Sequence, residues 1–163
     1  MKWWTMIKNK YFILFIYLFL LIINSSCKNN EVEKIWMKSI KNYENKDYNQ
    51  CLVGLNNIIK NHSSSNYAPD SYYLISEIYL NEYKQYDIAV EFLKTIINDY
   101  PDSEASKKSL FTLGYINANY IDSFTDAINH YNDFLLKYPN DDLIPSVEYE
   151  LENLFIIQSK IDS

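Results

Sequence analysis

Residues 86–101 read YDIAVEFLKTIINDYP, and residues 124–139 read FTDAINHYNDFLLKYP. Set one over the other, 38 positions apart, they share a frame. An aromatic (Tyr86, Phe124) comes three places before an alanine (Ala89, Ala127), and a large residue (Leu93, Tyr131) comes four places after it. Further large residues follow at seven and eight, Ile96 and Ile97 in one copy and Phe134 and Leu135 in the other. Spacing of four, seven and eight is one face of an α-helix. Pro101 and Pro139 then stop each helix. A third copy, YNQCLVGLNNIIKNHS at 48–63, fits the frame with Cys51 for the alanine and Ser63 for the proline.

The period also holds upstream of each copy. Ile40, Ile78 and Ile116 align, as do Met37, Ile75 and Leu113. Beyond Pro139 the series continues with Leu151 after Leu113 and Leu154 after Ile116. Self-similarity at a fixed period of this size is the signature of stacked helical units. The spacing predicts helices over about 35–45, 48–61, 69–82, 86–99, 105–119, 124–137 and 146–160, that is, three helix pairs and a final helix closing the array. A single pair cannot bury its apolar face alone, whereas stacked pairs share a continuous core. Small residues at Ser76, Gly114, Ala89 and Ala127 are expected to let paired helices approach closely, with Gly114 opposite Ala127. In the first copy that place falls to Lys38 or Ser39.

At these positions the chain resembles the tetratricopeptide repeat family. That pattern has a small residue in the first helix, an aromatic, an alanine and an aromatic in the second, and a closing proline. Copies two and three carry it at Ser76/Gly114, Tyr86/Phe124, Ala89/Ala127 and Pro101/Pro139, and copy one is degenerate. The resemblance covers about residues 35–160. It implies an all-α, right-handed α-solenoid of about three 38-residue repeats plus a capping helix, where the family's usual unit has ~34 residues. The stretches YPDSEASKKSLFTLGYI and YPNDDLIPSVEYELENL resemble a subclass found in exported bacterial proteins. That subclass includes BamD-type outer-membrane assembly lipoproteins and CpoB-type periplasmic coordinators.

Residues 1–26 read as a targeting segment. Lys2, Lys8 and Lys10 precede YFILFIYLFLLII at 11–23, a run of 13 apolar or aromatic residues. A spanning helix needs ~20 such residues, and a signal peptide's apolar region ~7–15. Asn24-Ser25-Ser26 lead directly into Cys27, which resembles the lipobox of bacterial lipoproteins, although Asn24 stands where that family usually has Leu. The resemblance implies cleavage before Cys27 and a covalent lipid on it. The expected organisation is a lipoprotein signal peptide at 1–26, the lipidated Cys27 and a short polar tether at 27–34, and the repeat domain at 35–163. Two or more acyl chains anchor a protein stably, where one is marginal. Cys51 is the only other cysteine. An exported chain with one leftover thiol is expected to bury it, here in the alanine slot of copy one. Lys28 rather than Asp after Cys27 points, by the enterobacterial pattern, to the outer membrane.

Composition narrows the function. At 48% hydrophobic and 17% aromatic the chain can build a core. Residues 1–26 hold three of the 15 lysines and no acid, so the remainder sets 12 lysines and no arginine against 21 acids. An acidic, arginine-free domain is a poor match for a phosphate backbone, so no nucleic-acid partner is expected. His62 and His130 lack an i+4 histidine or a Cys/His cluster, and no metal site is expected. Gly54 and Gly114 are 60 apart, so there is no glycine-rich phosphate loop, and no nucleophile elbow occurs. The acids Asp141-Asp142 and Glu148/Glu150/Glu152 read as caps and solvated helix faces rather than catalytic pairs. No cofactor beyond the lipid on Cys27, and no catalysis, is expected.

The resemblance therefore implies an interaction scaffold in the cell envelope, lipid-anchored and facing the periplasm. A BamD-like part in outer-membrane protein assembly comes first. A CpoB-like coordinator of Tol–Pal or wall processes is the alternative, and a helical wall-cleaving enzyme is a third reading. Partners are expected to be envelope proteins or peptides held on the concave surface lined by first helices. By resemblance the groove positions are Trp36, Tyr43, Tyr73, Glu77, Asn81, Tyr115 and Asn119, with Phe111 either in the groove or in the inter-repeat core.

Overall fold

The computed structural model describes residues 31–161. The expected signal peptide, Cys27 and Lys28 lie outside the described residues. The chain is all-α among those residues, a helical-repeat fold of seven helices. They are α1 (31–44), α2 (Tyr48–Asn61), α3 (Tyr67–Ile78), α4 (Tyr86–Asp99), α5 (Glu104–Asn119), α6 (Phe124–Lys137) and α7 (Ile144–Ile161). A π-helical turn, Tyr79–Tyr83, continues α3. No described helix is long and apolar enough to cross a membrane. Among the described residues, two compact units divide within α2, between Gly54 and Leu55.

The bounds of α2, α4 and α6 coincide with those the apolar period predicts. First-position helices start earlier than expected. Pro69 and Pro145 lie inside the first turns of α3 and α7, where a missing N–H removes no helical hydrogen bond. Residues 31–34, expected as tether, are helical instead. Val32 extends the apolar face of α1 by a further turn and is buried.

In the first unit, α1 meets the start of α2 through Ser39 and Gly54. A Cβ on Gly54 would meet the Ser39 hydroxyl, the movable end of a small side chain, so the two helices approach closely at this pair. The small position of copy one is therefore Ser39, not Lys38, and the face of α1 is rotated by one residue. Met37, aligned with Ile75 and Leu113, is 61% exposed where they are fully buried. The turn explains this. Ahead of each second helix an N–H closes back on the first helix. Gln85 reaches Tyr79 and Ser123 reaches Asn117, six residues back, whereas Asp47 reaches Asn42, five back. One residue fewer in the first turn moves the facing position from 38 to 39. Cys51 fills the alanine slot as expected. It is fully buried and unpaired, and burial, aided by Asp47, pushes its thiol up to about 11, so it is no nucleophile at neutral pH.

The second unit has two adjoining cores. One gathers Leu80, Ala89, Val90, Leu93, Ile96, Ala105, Leu113 and Ile116. The other gathers Leu110, Ala127, Tyr131, Phe134, Val147, Leu151 and Leu154. Gly114 does have a packing reason, but its partner is Tyr131 rather than Ala127. A Cβ there would stand 2.5 Å from the Tyr131 ring. The turns are tied across repeats: the Tyr100 hydroxyl donates to the Ser63 carbonyl at 2.9 Å, and Lys137 Nζ to the Pro101 carbonyl at 2.7 Å. Within this unit the backbones of α3 and α5, and of α5 and α7, approach each other more closely than those of α4 and α6. The layer therefore bends toward α3, α5 and α7, which form its inner face.

Candidate functional site: the inner face of the second unit

Two neighbouring helices of the inner face, α3 and α5, carry the candidate site. Tyr73 and Glu77 lie one turn apart on α3, with Asp70 a turn before them, so all three share a stripe. Lys108, Thr112, Tyr115 and Asn119 form the facing stripe on α5. The Tyr73 hydroxyl and Thr112 Oγ1 are 3.1 Å apart, and Lys108 Nζ stands 5.8 Å from the centre of the Tyr73 ring. A cation over a tyrosine face at that range is attracted by the ring quadrupole. Repeats two and three are thus joined through one tyrosine that uses both its edge and its face.

Electrostatics mark the same spot. Burial raises the Glu77 carboxyl above the ordinary carboxylate range, and Lys108 pulls it partly back. Asp70 shows the same two opposing influences, burial first. The Tyr73 hydroxyl is raised by burial and by Glu77, against the lowering effect of Thr112. Two acids and one lysine share a partly desolvated surface, so a further cation arriving there would relieve the acids.

Toward the C-terminal end of α5 the surface becomes aromatic. Tyr115, 37% exposed, sits edge-on to Tyr120 at 5.8 Å, and Tyr120 stacks on Tyr86 at 4.5 Å. A hydrogen bond with Tyr120, then burial, raises the Tyr115 hydroxyl. Asn119 is exposed and turns its amide back onto the Tyr115 carbonyl at 2.9 Å. Asn81 is exposed on the π-helical turn. Phe111 belongs to the inter-repeat core, tilted against Tyr131 at 5.9 Å.

Of the residues expected in the groove, Tyr73, Glu77, Tyr115 and Asn119 therefore share the α3–α5 face. Trp36 and Tyr43 lie half-buried on α1 in the first unit, Tyr43 edge-on to Tyr48 at 5.8 Å. Cys27 is outside the described residues. The sequence reading missed Asp70, Lys108 and Thr112, although a signal was present. The groove positions were stepped 38 apart, as 73/111, 77/115 and 81/119, and one turn before the first of these the same step joins Asp70 to Lys108, an acid to a base. Asp141, read as a cap or solvated acid, is a cap and more. It accepts from the Leu143 N–H at 2.9 Å and pairs with Lys107 at 2.8 Å, and Lys107 also holds Glu104 at 2.7 Å. Among the described residues no three of His, Cys, Asp and Glu gather closely enough to hold a metal ion.

Residues 70–103, from the first turn of α3 to the turn after α4, match the tetratricopeptide repeat family. The match covers repeat two and includes Tyr73 and Glu77. Repeats of this kind are protein–protein interaction scaffolds, generally without catalysis of their own. No curated protein matches the chain.

Proposed function

We propose that this protein is a lipid-anchored scaffold of the bacterial cell envelope that holds a protein segment on the inner face of its second unit. The carrying observation is the cluster of Tyr73, Glu77, Lys108 and Thr112, which bridges two repeats and leaves acids in a partly dry surface. Tyrosine is a common anchor in protein interfaces. The two raised acids favour a segment that brings a lysine or arginine, with apolar side chains for the Tyr115–Tyr120 ledge. In this reading Cys27 carries the lipid and the domain faces the periplasm from the outer membrane. Burial of Cys51 supports the anchor, because it leaves Cys27 without an internal disulfide partner. A place in outer-membrane protein assembly, of the BamD kind, accords best with an anchor close to the repeats. A CpoB-like coordinating role is the alternative.

Photo-cross-linking from position 115 in intact cells tests the groove. Envelope proteins are expected to cross-link in wild type and to be lost in Tyr73→Ala/Lys108→Ala. An unchanged set of cross-linked partners would remove the groove. Labelled palmitate tests the anchor: incorporation is expected in wild type and absent in Cys27→Ser, and equal labelling of both would remove it.

A further inference from the structure

The outward strip of α7 takes no part in the inner face. Stepping back 38 residues places Glu148, Leu151, Glu152, Phe155 and Ile156 on Leu110, Leu113, Gly114, Asn117 and Ala118 of α5. On α5 these positions are buried or half-buried, and Gly114 takes the ring of Tyr131 from α6, the next helix. On α7 the same strip is an open groove lined by Glu148, Leu151, Glu152, Phe155, Ile156 and Ser159. Phe155 is 55% and Ile156 46% exposed. A helix that served only to end an array would carry a polar outer face.

The charges on the strip indicate what covers it. Glu148 and Glu152 are exposed one turn apart, beside Phe155 and Ile156. Among the described residues, the ion pairs of Lys107 with Glu104 and with Asp141 involve neither. We propose that the strip docks an amphipathic helix of a partner protein. Its apolar ridge covers Leu151, Phe155 and Ile156, and its lysines or arginines pair with Glu148 and Glu152. Glutamate at the place of Gly114 bars the close approach that α6 makes to α5. The incoming helix therefore sits farther out, at a distance that a long cationic side chain spans. A second copy of this chain fits poorly, because two such strips would bring like charges together in a partly dry interface. The strip lies on a different face from the Tyr73–Lys108 cluster, so this site stands or falls independently of that one.

The test uses the full chain in zwitterionic nanodiscs, with empty nanodiscs as the blank and two labelled 18-residue helical probes, one Leu/Lys and one Leu/Glu. The Leu/Lys helix is expected to bind wild type at least tenfold more tightly than Glu148→Lys/Glu152→Lys. The Leu/Glu helix is expected to gain at least tenfold on that charge-reversed chain. Phe155→Ser/Ile156→Ser should weaken the Leu/Lys helix by at least tenfold with unchanged circular dichroism. Reversing Asp87 and Glu91 on α4 to lysine should move its affinity less than twofold. Equal losses from the two reversals would mean that net charge alone attracts the probe, and would overturn the site. So would a wild-type dimer in sedimentation that Phe155→Ser/Ile156→Ser turns into monomer, since the occupant would then be a second copy.

Discussion

The turn of the first unit and the two equivalent turns of the second share a plan and differ by one residue. In all three a non-glycine residue takes a left-handed conformation, Lys46, Lys84 and Asp122, spaced by the 38-residue period. In all three the next N–H closes back on the first helix. It closes five residues back at Asp47 and six at Gln85 and Ser123. That single residue decides which side of α1 is buried. A repeat can thus keep its period in the second helix and lose it in the first, because a turn transmits a one-residue change as a rotation of about 100°.

The largest way to break this comparison is to cut side chains at aligned positions. Ile75→Ala should cost roughly 2–5 kcal/mol, whereas Met37→Ala should stay within about 0.5 kcal/mol. Urea unfolding followed by circular dichroism measures both, and an equal loss would mean that α1 keeps the register of α3. The two glycines come next. Gly114→Ala drives a methyl into the fully buried Tyr131 ring and should destabilise by ~1–3 kcal/mol, less what alanine returns as a better helix former. Gly54→Ala overlaps the Ser39 hydroxyl alone, its other neighbours lying at ordinary contact distance, and that hydroxyl can rotate away from its bond to the Ile35 carbonyl at 2.9 Å. It should be near neutral. Tyr131→Leu should restore much of the Gly114→Ala loss, and no rescue would point to another neighbour.

Smaller effects sharpen what the turns share. Left-handed backbone costs a residue with a Cβ roughly 1–2 kcal/mol, and glycine returns part of that as entropy of the unfolded chain. Lys46→Gly and Lys84→Gly should each stabilise by about 0.5–1 kcal/mol, equally in the short turn and the long one. Thermal melts that separate the two would show that the turns differ in more than length. The smallest effect is electrostatic. Glu77 aligns with the buried Ser39 and with Tyr115, so of the three repeats only the second carries a carboxyl at this place. Its folded pKa is raised, so wild type should lose stability as pH climbs from the ordinary carboxylate range through the raised value. Glu77→Gln should be more stable at neutral pH and flatter across that window. Asp141, lowered by its hydrogen bond with Lys107, has the opposite sign: its contribution is present above the ordinary range and fades as pH falls through the lowered pKa.

Much of the fold was legible because second helices carry redundant signals. Ala89 and Ala127, the large residues four and seven beyond them, and Pro101 and Pro139 all state the same boundary. First helices carry fewer. Pro69 and Pro145 can begin a helix or lie within its first turn, and composition does not distinguish the two. Half of the inner face was legible through the tyrosines and Glu77. Lys108 and Thr112 were missed: the 38-residue step from Asp70 marks Lys108, but a lysine and a threonine on an exposed stripe look like solvent-facing residues until the neighbouring helix brings Tyr73 to them.

By itself, then, the sequence determined the helix pair, its 38-residue period and the burial of Cys51, Ala89 and Ala127, since each follows from spacing along one helix. Tertiary structure alone decided that Ser39 replaces Lys38, that Gly114 yields to Tyr131, and that Tyr73 joins Thr112 and Lys108. Those outcomes depend on the rotation and separation of one helix against another. They are set by the residue count of a turn and by side chains tens of positions away, which no local pattern records.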